Sequence, residues 1–209
     1  SVERLRDYLK KTYGGLDILI NNAGIAFKNA STEPFGNQAT VTMATNYTAT
    51  MDACRILTPL LKPCGRVVNV ASGAGKMSYD KLSEEVKAWF RAVKTEEEVS
   101  HLMEEFVKLA NQGTSEEKGW HNWAYGISKL GLVCATKIFA EKFQSGSPEK
   151  GILIMACTPG YVATDMTSFK GPKTIDEGAV TPVYLSLLPP GSSGFNGNMY
   201  RDRAREDLW

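Results

Sequence analysis

Apolar positions along the chain follow two periods that alternate. Val2, Leu5, Leu9 and Tyr13 recur at helical spacing behind the N-cap Ser1 and stop at Gly14-Gly15, which predicts an amphipathic helix. Residues 16–20 form a short apolar run that reads as a buried strand. After a loop over 22–38, residues 40–61 read as one long helix, apolar at Val41, Met43, Ala44, Tyr47, Met51, Cys54 and Leu57 and ended by Pro63 and Gly65. Residues 66–71 are the next strand. Two helical stretches follow between 80 and 122. Ser83 precedes the first, and a Thr95/Glu98 capping box opens the second. A helix over 123–144, a strand over 152–157, a helix capped by Thr174 and Glu177 that tolerates or kinks at Pro182, and a short strand over 198–200 complete the order. Residues 201–209 read as a charged tail with Trp209 as an aromatic anchor. Strands alternating with helices predict an α/β domain with a mainly parallel, doubly wound sheet.

Length and charge narrow the function classes. With 209 residues the chain fits one domain, 1–209, and its 24 basic and 23 acidic residues leave it near neutral. No basic stripe points to nucleic acid and no charge block to a tail. Cys54, Cys64, Cys134 and Cys157 are widely spaced beside only two histidines, which indicates neither zinc nor a disulfide framework and suits a reducing cytosol. No apolar run approaches a membrane span. The chain therefore reads as soluble and cytoplasmic. Gly73-Ala74-Gly75-Lys76 follows a strand, yet Val70 and Met77 stand where a phosphate loop needs Gly and Ser or Thr. The glycine cluster over 191–197 reads as a surface loop.

Chemistry concentrates at Tyr125-Gly126-Ile127-Ser128-Lys129. A spacing of four sets the phenol and the ammonium one turn apart on one helix face. A phenol ordinarily has a pKa of about 10, and a fixed cation nearby favours its ionised form. Lys129 is thus expected to lower Tyr125 until it can protonate a substrate oxygen. Ser72 stands at the end of a strand, where parallel sheets place their ligand crevice, and can hold the same oxygen from a second direction. His121, four residues before Tyr125, reads as a rim or surface residue, and His101 lies on the inserted helices.

Asn21-Asn22-Ala23-Gly24, Ser72, Tyr125-x-x-x-Lys129 and Pro159-Gly160 occur in an order that resembles the short-chain dehydrogenase/reductase family from end to end. The two-helix insertion over 80–122, between Ser72 and Tyr125, makes it most similar to the monomeric carbonyl reductases. The resemblance implies an α/β Rossmann-like fold whose N-terminal half, with its Gly-rich turn, lies outside these residues. It implies hydride transfer from NADPH to a ketone, aldehyde or quinone, with no metal. Tyr125 would donate the proton, Ser72 would hold the carbonyl oxygen, and Lys129 would also bind the nicotinamide ribose. Asn46, in a Thr45-Asn46 pair, would distort its helix and anchor a water that refills the proton. Asn22, Ala23 and Gly24 would pass beneath the cofactor. Pro159, Gly160, Val162, Ala163 and Thr164 would hold the nicotinamide carboxamide, and Phe27, Gln38, Tyr161 and Met166 would line the substrate pocket.

For the insertion itself the expectation is a solvated hairpin, with Glu84, Glu85, Glu96, Glu97, Glu104 and Glu105 as its wet face, covering the surface through which shorter relatives tetramerise. A full-length form is then a monomer. The strand over 16–20 would be a bare edge in this chain, inviting self-association. The rival reading is a catalytically impaired form that acts as a non-enzymatic interaction protein.

Overall fold

Left-handed Gly14 (φ 69°) ends helix α1 (Val2–Tyr13), and the chain turns directly into strand β1 (Leu16–Asn21). The computed structural model describes residues 1–28 and 30–207; Trp209, the expected anchor, lies outside them. The long helix expected over 40–61 is broken into pieces. It begins earlier, as α2 (Phe35–Met43), passes through a π-helical turn (Ala44–Thr48), and resumes as α3 (Ala49–Leu57) before a 3-10 turn (Thr58–Leu60).

Strand β2 (Leu61–Val70) starts earlier than its apolar run and includes Pro63 and Gly65, which the pattern placed at a helix end. Its first residues are irregular: Leu16 pairs with Leu61 but Ile18 with Arg66, and Cys64 is left-handed (φ 61°). A proline is tolerated at such an irregular strand start, where a ladder hydrogen bond is already missing.

Helix α4 (Ala74–Asp80) was not legible in the sequence, since Gly73-Ala74-Gly75 reads as a breaker. The glycine serves packing instead. Added at Gly75, a Cβ would lie 2.9 Å from the Leu130 amide nitrogen and 3.1 Å from the Lys129 carbonyl carbon. Gly75→Ala should therefore destabilise the fold by about 1–3 kcal/mol, the usual cost of overpacking. A drop in thermal midpoint for this variant, absent in Gly146→Ala, where a Cβ meets nothing within 4 Å, checks it.

The inserted helices are α5 (Glu84–Ala92), capped by Ser83, and α6 (Glu96–Gln112), opened by the expected Thr95/Glu98 box and closed by left-handed Gly113. They are not a solvated hairpin. Helix α6 packs on α2 and on α7 (Ala124–Gly146). Phe90, Phe106 and Trp120 are buried together, with the Trp120 ring centre 5.9 and 5.3 Å from the two phenyl rings. Glu96, expected on the wet face, is only 3% exposed: its carboxylate takes Arg55 at 3.1 Å and Lys142 at 3.7 Å. A buried carboxylate needs such partners.

Beyond α7 come β3 (Leu153–Thr158), α8 (Ile175–Ser186), β4 (Met199–Arg201) and β5 (Ala204–Glu206). The charged tail is thus half of a hairpin. Asp202 and Arg203 both have positive φ, the geometry of a tight two-residue turn, without the Asn or Gly that would have announced it. Among the described residues the sheet runs β1-β2-β3-β4-β5, parallel through β4 and antiparallel at β5. Its residues alternate between two cores. Val67, Ile154 and Ala156 face the cluster under the α2, α6 and α7 side, whereas Val68, Met155 and Cys157 face Leu185 of α8. Parallel strands covered on both faces read as continuous apolar runs, as β3 does, whereas β1, expected to be a buried strand, is half-buried with Asp17 and Ile20 exposed because it is the outer strand of the described sheet.

Candidate active site

The C-terminal ends of β1, β2 and β3 lie in register, with Asn21 beside Asn69 and Val70 beside Cys157. Ser72 springs from the end of β2 and Tyr125 and Lys129 from the first turns of α7, whereas Asn46 comes from the π turn between α2 and α3. Ser72 stands two residues past β2, where its Oγ accepts the Ala74 amide at 3.2 Å. Tyr125 is the second residue of α7, and its phenol lies near enough to Ser72 for that side chain to oppose the effect of burial on it. Lys129, one turn on, is 4% exposed. Its Nζ donates to the Val70 carbonyl at 2.8 Å and lies 5.8 Å from the Tyr125 ring centre.

The electrostatics differ from the expectation for Tyr125. Burial raises its pKa above the ordinary phenol value, opposed only by the Ser72 side chain. The same burial acts on Lys129 and lowers its own pKa to about 8, which still leaves it protonated at pH 7. Desolvation disfavours both charged forms. The pair at rest is a neutral phenol beside a reluctant ammonium.

Asn46 is fully buried on the π turn. Its Oδ1 accepts the Ile25 amide at 2.8 Å, and its Nδ2 donates to the Ile25 carbonyl at 2.9 Å and to Ser128 Oγ at 3.1 Å. The helix distortion expected at this residue is present. An extra residue in the turn rotates the amide off the helix axis so that it grips the segment after β1 like a neighbouring strand. Gly24 is held in the same place: a Cβ there would lie 3.3 Å from Asn46 Oδ1 and 3.4 Å from Lys129 Nζ. Asn22 and Ala23 are exposed beside it.

The segment after β3 is shaped from within. Gly160 is left-handed (φ 82°), the Ala163 amide bonds Lys173 O at 2.8 Å, and Val162 is buried. Thr167 Oγ1 receives the Thr164 amide at 3.1 Å and donates to Val162 O at 2.6 Å. Pro159, Ala163 and Thr164 are half-buried, whereas Tyr161 and Met166 are exposed. Phe27 is half-buried. Gln38, on α2, turns back to the preceding loop and donates to the Glu33 carbonyl at 2.7 Å.

Two sets of residues escaped the sequence reading. Trp123 packs its ring 6.0 Å from Tyr125 and 6.0 Å from His121, whose Nδ1 meets Ser78 Oγ at 3.2 Å. Apart from the tetrad of Asn46, Ser72, Tyr125 and Lys129, Asn21 Nδ2 donates to Asn69 Oδ1 at 2.8 Å, and Asn69 Nδ2 to Thr136 Oγ1 at 2.9 Å. This buried line ties β1, β2 and α7 together. Asn69, set in the strand Val67-Val68-Asn69-Val70, was its only signal. A shallow groove of about 390 Å³ along α8, lined by Val180, Val183, Tyr184 and Leu187, shares no residue with the tetrad. Among the described residues, no group of three His, Cys, Asp or Glu is placed for a metal. No helix there is long and apolar enough to cross a membrane.

A Tyr–Lys pair one turn apart, with Ser72 near the phenol and a parallel sheet behind them, is the arrangement of a short-chain dehydrogenase. The model of that family, described as short chain dehydrogenase, matches residues 1–84. Carbonyl reductase (NADPH) 1 of Rattus norvegicus is 46% identical over 207 residues, covering 99% of this chain and 75% of the relative. Its Bos taurus counterpart is 47% identical over 204 residues, covering 97% and 74%. Among solved structures, salutaridine reductase from Papaver somniferum has a TM-score of 0.80 at 26% identity, covering 95% of this chain and 77% of that one. The chain belongs to the short-chain dehydrogenase/reductase family, and its similarity there is to the carbonyl reductases.

Proposed function

We propose that the protein is an oxidoreductase that reduces ketone, aldehyde or quinone carbonyls with NADPH, and that Tyr125 is the proton donor. What supports this is the placing of Ser72 just past the end of β2, of Tyr125 at the start of α7, and of the Lys129 ammonium one turn on, bonded to the Val70 carbonyl at 2.8 Å and 5.8 Å from the Tyr125 ring centre. The bound nicotinamide would supply the hydride to the carbonyl carbon. Ser72 and Tyr125 meet the carbonyl oxygen as charge develops on it, two hydroxyls acting where a metal would otherwise be needed. Tyr125 then gives up its proton to that oxygen, and Lys129 stabilises the phenolate left behind.

The residues fit the cofactor. Lys129 has three donors and directs one of them to Val70, which leaves two for ribose hydroxyls. Gly24, with no Cβ between Asn46 and Lys129, keeps the approach low, and the proposed cofactor contacts Asn22, Ala23, Pro159, Gly160, Val162, Ala163 and Thr164 lie on the segments that follow β1 and β3. Phe27, Gln38, Tyr161 and Met166 are the proposed substrate contacts. Tests of NADPH consumption with simple aldehydes, ketones and quinones, on protein isolated from its source, decide the matter. No turnover with any of the three, or equal turnover with NADH, would overturn it.

The edge strand favours a second reading, in which this chain associates through its surface. β1 is the outer strand of the described sheet, Ile20 is 42% exposed and α1 buries no side chain. Unpaired strand groups beside apolar surface recruit another chain. The 209-residue chain alone should self-associate through β1. Light scattering that shows a stable monomer at high concentration would contradict this.

A further inference from the structure

Lys28 lies outside the tetrad and on no helix or strand. Its side chain reaches the segment that leaves β3, where Nζ donates to the Asp165 carbonyl, to the Met166 carbonyl at 3.3 Å and to Ser168 Oγ at 3.1 Å. Three ammonium donors meet three oxygens. None of the three is a carboxylate, so this is not an ion pair. The cation sits at the carbonyl end of the 3-10 turn Asp165–Thr167, where the local dipole is negative, and shares the Asp165 carbonyl with the Ser168 amide.

That turn is in an uncommon conformation. Ser168 (φ 52°) and Phe169 (φ 58°) are consecutive left-handed residues, and a bulky side chain holds that region only when its surroundings over-determine it. Around them Tyr161, Met166 and Phe169 are 52%, 40% and 67% exposed. Little burial holds the segment, which places it among the parts of a fold that open most easily. The hydrogen bonds of Thr167 hold it from within, whereas Lys28 ties it to another part of the chain.

The place of that tie matters. Lys28 follows the Gly24–Ile25 stretch gripped by Asn46, after β1. The segment 161–170 follows β3. β1 and β3 are the two neighbours of β2, and the end of β2 leads into Ser72. Lys28 therefore joins the loops on either side of the strand that presents Ser72.

We propose that Lys28 is a positioning residue for the substrate. Its contact with 165–168 fixes how far Tyr161 and Met166 stand from Phe27, and so sets the room above Ser72 and Tyr125. The inference rests on the carbonyl reductase reading of the same site. Lys28 does not touch the reacting atoms. Its removal acts on substrate binding more than on the chemical step.

The test compares Lys28→Met, which keeps length but loses the charge, with Lys28→Arg. The first readout needs neither cofactor nor substrate: tryptic cleavage after the exposed Lys170, with the thermal midpoint as a check on folding. Lys28→Met should speed that cleavage about fivefold to tenfold at an unchanged midpoint, as expected for losing charge-assisted bonds at a surface. The second readout is turnover. KM for the carbonyl should rise about fivefold to tenfold with kcat within about twofold, and Lys28→Arg should recover part of both effects. Unchanged cleavage overturns the proposal, and so does faster cleavage at an unchanged KM. A raised KM without faster cleavage also overturns it, because Lys28 would then touch the substrate itself. Absence of turnover in the unaltered protein is a different result, which sinks the carbonyl reductase reading instead.

Discussion

Tyr125→Phe is expected to remove nearly all carbonyl reduction while leaving NADPH affinity within about twofold. The substitution deletes one oxygen. The ring keeps its place against Trp123 and over Lys129, so the crevice holds its shape. What is lost is a positioned proton donor, ordinarily worth about a hundredfold to ten-thousandfold in rate, together with one of two hydroxyls aimed at the developing alkoxide. Ser72 retains its bond from the Ala74 amide and continues to hold the carbonyl alone. Steady-state turnover and a separate titration of NADPH check this. Equal losses in both measurements would mean that Tyr125 builds the site without supplying the proton.

Lys129→Met should abolish turnover and yet leave the fold more stable. Burial lowers the Lys129 pKa from 10.5 to about 8, and each unit corresponds to about 1.4 kcal/mol, so holding the charge costs roughly 3 kcal/mol. Losing Lys129 leaves the buried Val70 carbonyl without its 2.8 Å donor, a loss of about 1–3 kcal/mol. The difference, up to about 2 kcal/mol, favours Met at pH 7. The pH dependence follows by linkage. Between about pH 8 and 10.5 the unfolded chain binds more protons than the folded one, so stability rises with pH across that window, and the full penalty is present below it. The advantage of Lys129→Met should therefore be largest below pH 8 and fade toward pH 10.5. Over the same range carbonyl reduction by the unaltered protein should decline above about pH 8, as the ammonium behind Tyr125 loses its proton. Thermal midpoints of both proteins across that range, with a pH profile of kcat, check the argument. A variant less stable at pH 7 would show that Lys129 is held by partners strong enough to cancel its desolvation.

Legibility followed the range of the interactions involved. The Thr95/Glu98 and Thr174/Glu177 boxes announced helix starts because a cap involves residues three apart. β3 was legible because strands buried on both faces carry unbroken apolar runs. Helix α4 was hidden, since Gly75 disfavours a helix locally and is retained for the contact with Leu130 on α7. The hairpin to β5 was hidden too, because Asp202 and Arg203 do not announce a turn with positive φ. Glu96 looked like its solvated neighbours until Arg55 and Lys142 were brought against it.

The site divides in the same way. The sequence by itself determined the residue types, their order, and the four-residue spacing that sets Tyr125 over Lys129, because a helix converts spacing into direction without help from the rest of the chain. The family resemblance, and not the periodicity, marked Asn46 as a place where the helix would distort. The tertiary structure alone decided which way the two pKa values move. It also decided that Asn46 grips Ile25 and that Lys28 joins the loops beside β2. Those outcomes depend on desolvation and on partners far away in the chain, and neither is encoded in local spacing.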